Sequence, residues 1–319
     1  MKYFFFLTTL IVAMSIAHSL PAQTDVFSSP VIGTLVFDHQ KGYRLAAIDE
    51  SPGRTMDAAL FPATDPETIK KYMPEGGAPA SISSFVLFTG EDTIFFDTGN
   101  GGELWVKKLT DLGVKPESVK HIFLTHMHGD HIGGLLELKV TPLTAETAFN
   151  EQVRRFPSAK LLCTKQEYEH GFPPNVVVPT ADRRRNYMIK EAYGRDFTTF
   201  NFDDVVYENS EITVKALDAA GHTPGHTAFL IEPKDIVQGA GAKEKVLIIG
   251  DLLHAAALQF PVPEACARFD MDHEKAIASR KRLLDFAAQE KIPVVGMHLP
   301  PPHIGIVKKN DQGSYIWEP

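Results

Sequence analysis

Cysteine is scarce in this chain, with two residues, Cys163 and Cys266, among 319. They lie far apart and lack the spacing of a thiolate metal site, so a disulfide scaffold or a cysteine-based metal cluster is excluded as the organiser of the fold. In an exported protein the two could pair. Cys163 follows Leu161-Leu162 in a predicted strand, however, and reads as a small buried hydrophobe, so two separate thiols are expected. Low-complexity tracts, internal repeats and Pro/Gly/Ser linkers are also lacking, which favours one large domain over two small ones. Positive charge is in deficit: the net charge is −8. That balance disfavours nucleic acid and anionic membranes as partners. The triplet Arg183-Arg184-Arg185 beside Asp182 is a local exception, expected to be a solvated loop face. Beyond the amino terminus no stretch is apolar enough to cross a bilayer.

The amino terminus itself is different. Lys2 precedes the apolar run Tyr3 to Ala17, then small residues and a break at Ser19-Leu20-Pro21-Ala22. A basic start, a short apolar stretch and a small-residue exit predict a signal peptide over residues 1–22 and a mature domain over 23–319. Cleavage is expected after Ala22, with Ser19 as the alternative. The run is short for a span of ~20 residues, and no cysteine at the exit offers a lipid anchor. The expected location is therefore periplasmic or secreted, without stable membrane insertion after cleavage. Removing the segment takes away Lys2 and no acid, which leaves the remainder slightly more acidic.

Short β-biased runs dominate the first half: Val31 to Phe37, Tyr43 to Ile48, Ser84 to Phe88 and Thr93 to Asp97. A helix is predicted over Leu104 to Leu112, stopped by Gly113. The apolar strand Val119 to Leu124 leads into Thr125-His126-Met127-His128-Gly129-Asp130-His131, and a short helix is expected over Ile132 to Leu138. Residues 141–210 are the least regular, with a strand at Lys160 to Thr164 and helices on either side. Strands resume at Ile212 to Ala216, Ala228 to Ile231 and Val246 to Ile249. Asp272 caps a predicted helix reaching Gln289, with Ile277, Leu284 and Ala287 on one face. Val294 to Gly296, Ile304 to Val307 and Tyr315 to Trp317 close the chain as strands. This is an α/β pattern of packed layers.

Three imidazoles and a carboxylate fall within the six residues His126 to His131. Nitrogen and carboxylate oxygen are the donors that Zn(II) and similar ions favour. His126 and His128 alternate about Met127 and can leave one side of the strand end. Asp130 and His131 follow the flexible Gly129 and can face a second point. One loop can thus serve two adjacent ions but cannot complete both shells. Further candidates stand at strand ends: His222 in Gly221-His222-Thr223-Pro224-Gly225-His226, Asp251 after Ile249-Gly250, and His298 after Gly296-Met297. A carboxylate has two oxygens, so Asp251 is suited to bridging.

With these residues placed, the chain resembles the metallo-β-lactamase superfamily, whose His-x-His-x-Asp-His motif is joined downstream by a His, an Asp and a final His. The resemblance covers the chain from about residue 30 to its end. It implies a four-layer αβ/βα sandwich with two divalent ions, expected to be Zn(II), at the edge between two sheets. His126, His128 and His222 would hold one ion, Asp130, His131 and His298 the other, with Asp251 between them. Asp97 would support the loop, and His226 would be structural or support the ligands from outside. The chain is similar in particular to the branch of methyl parathion hydrolase and lactone hydrolases, through Leu124 to Leu135, Gly221 to Thr227, Gly250-Asp251-Leu252, Ala255 to Phe260 and His298-Leu299-Pro300. It departs at Pro301-Pro302-His303, which makes His303 a rival to His298.

The function implied is hydrolysis of lactones or carboxylic esters of small molecules by a hydroxide shared between the ions, with Asp130 and Asp251 as the catalytic carboxylates. Organophosphate triester hydrolysis is the alternative. A β-lactamase is less expected, because it would generally lack the bridging Asp251. Phe172, Phe197, Phe200, Phe260 and His254 are candidates for the substrate pocket. A homodimer is left open.

Overall fold

Strands apolar at every position require two buried faces. In Arg44–Asp49 the alternate residues Leu45 and Ala47 enter one core while Ala46 and Ile48 enter another. Phe229 and Ile231 likewise oppose Ala228 and Leu230 in Thr227–Pro233. The computed structural model describes residues 34–36, 44–139, 152–174, 181–234 and 245–319, and the expected signal segment 1–22 lies outside them.

Two seven-stranded sheets result. The first runs in the order Thr34–Val36, Arg44–Asp49, Ser83–Phe88, Thr93–Phe96, Val119–Phe123, Lys160–Thr164 and Phe197–Phe200. Its first four strands pair antiparallel and the remaining pairs are parallel. The second sheet runs in chain order through Val205–Glu208, Ile212–Asp218, Thr227–Pro233, Val246–Ile248, Pro293–Val295, Ile304–Lys309 and Tyr315–Glu318. Only the pair Val246–Ile248 with Pro293–Val295 is parallel there.

The sheets face each other across an apolar core that includes Phe96, Phe123, Phe200 and Phe229. The ring centroids of contacting pairs among them lie 5.2–6.5 Å apart. Trp105 and Leu109 of helix Glu103–Asp111 and Met188, Ile189 and Tyr193 of helix Ala181–Tyr193 cover the outer face of the first sheet. Leu283, Leu284 and Ala287 of helix His273–Glu290 cover the second. This is the expected four-layer αβ/βα sandwich.

Asp272 caps the last helix by accepting a bond from the Lys275 amide at 3.1 Å. Its buried face carries Ala276, Leu283, Leu284 and Ala287, with Ile277 only half-buried at the margin. Two expectations are corrected. The helix over Ile132 to Leu138 is instead one turn, Gly129–Ile132, a 3-10 turn, Gly133–Leu135, and the strand Leu136–Leu138. A close approach of backbones is responsible: a Cβ on Gly133 would meet the Asn100 carbonyl oxygen at 2.2 Å. The Arg183-Arg184-Arg185 triplet is not a solvated loop. It lies in helix Ala181–Tyr193, with Arg184 buried. Cys163 and Cys266 are separate free thiols, both buried.

Candidate metal centre

The candidate ligands all stand just beyond the carboxyl ends of strands at one edge of the sandwich. His126 and His128 follow Val119–Phe123, and Asp130 and His131 occupy the single turn Gly129–Ile132. From the other sheet, His222 lies between Ile212–Asp218 and Thr227–Pro233. Asp251 sits in the turn Gly250–Leu252 after Val246–Ile248, and His298 follows Pro293–Val295. Gly250 has φ 54°, and a Cβ there would lie 2.4 Å from His226 Nε2. Only glycine lets this turn pack on the imidazole beneath it.

The donor atoms of His126, His128, His222 and Asp251 come within 4.8 Å of one another, as do those of Asp130, His131 and His298. Asp251 lies between the two groups. Its Oδ1 is 3.1 Å from His131 Nε2, and its Oδ2 is 3.4 Å from His222 Nε2 and 3.1 Å from His298 Nε2. His126 Nε2 is 3.7 Å from the same Oδ2. Asp130 reaches His131 Nε2 at 3.7 Å and His298 Nε2 at 3.6 Å. His303 is elsewhere: its Nδ1 meets the Leu299 carbonyl at 2.9 Å and its Nε2 faces Asp49 at 3.8 Å. The structure brings His298, not His303, to the cluster.

Burial holds His128 at about 4 and His222 at about 3, and pushes His126 well below its ordinary value. Each ring is therefore neutral near pH 7 and keeps one unprotonated nitrogen, and His222 Nε2 and His128 Nδ1 lie 3.0 Å apart. His131 behaves oppositely: burial works against its charge, but Asp251, Asp97 and Asp130 raise it well above the usual imidazole range. Burial alone would raise Asp251, yet His131, His298 and His126 drive it well below the carboxylate range. Carboxylates in such surroundings call for positive charge at this point.

His126 Nε2 is buried without a hydrogen-bond partner, and His131 Nε2 and Asp251 Oδ1 face only each other, at 3.1 Å. Buried donors and acceptors left short of partners are costly, and such a cluster of nitrogen and carboxylate oxygen fits a divalent cation.

Groups outside the cluster fix the ring orientations. Asp97, itself at φ 57°, accepts bonds from the Thr125 amide at 2.8 Å and hydroxyl at 2.7 Å. Its Oδ2 also lies 2.7 Å from His131 Nδ1. His226 spans the Ala219 carbonyl and the Asp251 amide, each at 2.9 Å. Three residues that the sequence reading missed act in the same way. Asp270 Oδ1 lies 2.9 Å from His222 Nδ1. Asp270 is in turn held by the buried Arg280 at 3.3 Å. Glu167 ties two ligand-bearing loops together, accepting from the Met127 amide at 2.8 Å, the Thr223 hydroxyl at 2.6 Å and the Gly225 amide at 3.2 Å.

The centre forms the floor of a cleft of about 710 Å³. His254 lines it, with Nε2 3.2 Å from Asp251 Oδ2 and both ring nitrogens lacking hydrogen bonds. The phenylalanines proposed for the pocket are core residues instead. Phe172 packs on Tyr168 and Phe197 at 4.7 and 6.0 Å, Phe200 lies between the sheets, and Phe260 stacks on Trp317 at 5.8 Å. Each follows the alternation or packing of its own element, which buries it away from the cleft.

The sequence pattern of the Metallo-beta-lactamase superfamily matches residues 77–289. An N-acyl homoserine lactonase AttM of Azorhizobium caulinodans is 25% identical over 40% of this chain and 41% of its own length. An atrochrysone carboxyl ACP thioesterase of Pseudocercospora fijiensis is 27% identical over 47% of this chain and 33% of its own length. The chain therefore spans well under half of these relatives. Among solved structures, hydrolase AbOPH of the beta lactamase superfamily superposes with a TM-score of 0.70 at 25% identity, covering 91% of this chain and 98% of that one. AidC, a dizinc quorum-quenching lactonase, gives 0.71 at 22% identity over 91% and 98%.

The clamp formed by Glu167 is testable apart from any chemistry. In Glu167→Gln an amide NH₂ replaces one accepting oxygen and faces buried donors. The expected loss is about 1–3 kcal/mol, read by urea unfolding of the metal-free protein. Unchanged stability would show that the two loops are held by other contacts.

Proposed function

The chain belongs to the metallo-β-lactamase superfamily, and from that premise we propose that it is an exported hydrolase of lactones or carboxylic esters that works with two divalent ions, Zn(II) by preference. The observation that carries this reading is the single carboxylate Asp251, which lies between two groups of candidate ligands at the floor of a cleft, with Oδ1 facing His131 and Oδ2 facing His222 and His298. In this reading His126, His128 and His222 hold one ion, Asp130, His131 and His298 hold the other, and Asp251 serves both. Bound there, the ions supply Lewis acidity that brings the pKa of water toward neutrality and stabilises charge developing on a carbonyl oxygen.

The protein's own groups do the rest. Asp270, Asp97 and the Ser81 carbonyl, the last 2.9 Å from His298 Nδ1, fix the far nitrogens of His222, His131 and His298. Such partners select the tautomer that leaves the near nitrogen free. Asp130 is the most open of these acids, with a side chain 30% exposed. It is placed to orient water entering the cleft and to accept its proton at a carboxylate oxygen. His254 offers a hydrogen bond to the ring oxygen of a lactone or to a carboxylate product. The lactonase named above and the thioesterase both cleave acyl bonds, which favours acyl transfer over phosphoryl transfer.

Zinc-loaded protein should hydrolyse an aromatic lactone or an aryl ester and lose that activity to a chelator. Asp251→Ala should lower activity by more than the roughly 10–100-fold that loss of an outer partner costs. Activity that survives both treatments would end the metal-dependent reading. The role of His254 is tested by kcat/KM for one lactone and one aryl phosphotriester. His254→Leu should move their ratio toward the triester by more than about threefold, or ~0.7 kcal/mol, at unchanged metal content. A smaller shift makes His254 a packing residue, and a parallel loss of metal makes it a ligand. Export predicts that protein recovered from the native cell envelope lacks residues 1–22 by intact mass, whereas a full-length soluble product would overturn it.

A further inference from the structure

The rim of the cleft carries a charge pattern that ester or lactone hydrolysis alone does not require. Arg54, Arg183 and Arg268 line it, and they come from three separate segments of a chain whose net charge is −8. The carboxylates that line the same cleft, Asp130, Asp251 and Glu167, all belong to its floor and are already engaged there. Among the described residues none of the three arginines forms an ion pair with an acid. Arg183 donates to the His170 carbonyl at 3.3 Å, and Arg268 lies over the Phe269 ring at 5.2 Å. Both contacts leave guanidinium N–H groups unused, since each fork offers five.

The backbones of Arg54 and Arg268 are fixed. The Arg268 amide donates to the Leu60 carbonyl at 2.8 Å, the Arg54 amide to the Ser51 carbonyl at 3.0 Å, and the Ala80 amide to the Arg54 carbonyl at 3.0 Å. Three like charges around one opening repel each other, and together they raise the local concentration of an anion at the mouth of the cleft. If the floor holds two divalent ions, as proposed above, the rim faces further positive charge and no counterion. A planar guanidinium pairs with carboxylate or phosphate through two parallel bonds.

We propose that the substrate is an anionic acyl compound, whose carboxylate or phosphate is held by Arg54, Arg183 and Arg268 while its ester or lactone carbonyl reaches the floor. The rim would then select among acyl compounds by charge, and Met56, Leu60 and Phe269 beside it would contact the apolar spacer. This rests on the hydrolase reading for the role of the carbonyl, but not for the binding of the anion.

The test uses unreactive amides, so that binding is read without turnover. N-phenylglutaramic acid, its neutral primary carboxamide and a phosphate-tipped counterpart are titrated into zinc-loaded protein by calorimetry. Both anionic amides should bind about tenfold more tightly than the neutral one, and the preference should shrink as salt is raised. The triple variant Arg54→Gln, Arg183→Gln, Arg268→Gln should abolish it. Arg54→Gln and Arg268→Gln alone, both at exposed positions, should each reduce it by about threefold. Equal binding of charged and neutral amides by the wild type would overturn the proposal. So would a preference that persists in the triple variant, because the anion would then sit on the floor. Hydrolysis of the matching phenyl esters is measured in parallel. Charge-selective binding without any ester cleavage would sink the hydrolase reading and leave the rim standing.

Discussion

A carboxylate buried at the bottom of a cleft needs positive charge close by, and Asp251 has little solvent to supply it. The side chain is 3% exposed, and imidazole nitrogens of His131, His298, His254, His222 and His126 lie 3.1–3.7 Å from its oxygens. Burying an ion without a partner costs several kcal/mol even after the protein relaxes. Protons on the surrounding rings meet this need only in part, because burial keeps His126 and His222 neutral while the neighbouring acids keep His131 charged. Divalent cations between the two groups would satisfy the carboxylates and the orphaned ring nitrogens together.

This constraint accounts for the architecture around it. Four of the seven candidate ligands come from the first sheet and three from the second, so neither sheet alone contains the site. Phe96, Phe123 and Phe229 fill the space between the sheets and set the separation at which the strand ends meet. Asp97, Asp270 and Glu167 then remove the remaining freedom of rings and loops. All three are buried acids bonded to backbone amides. They have the character of a support shell, which holds the inner groups in place at some expense in desolvation.

Much of this was legible in the sequence, for physical reasons. His126, His128, Asp130 and His131 are close together because one strand end can present alternate residues and one turn can present the next pair. Strands such as Lys160–Thr164 were readable because two buried faces demand unbroken apolar runs. Glu167 and Asp270 were not readable, since their partners Thr223 and His222 lie 56 and 48 residues away and no local pattern marks a buried acid. Phe172 and Phe260 looked like pocket residues because aromatic side chains suit both cores and clefts, and only packing decides. The three-arginine run misled for a similar reason. A helix separates its members by about 100°, so Arg183 reaches the cleft, Arg184 is buried, and Arg185 donates to the Gly129 carbonyl at 3.3 Å.

The claim on which the account depends is that two ions share Asp251. Anomalous diffraction at the zinc edge, from crystals of the zinc-saturated protein, tests it most directly. The account predicts two peaks per chain, one among His126, His128 and His222 and one among Asp130, His131 and His298, with Asp251 facing both. A single peak, or a second ion held without Asp251, would contradict it.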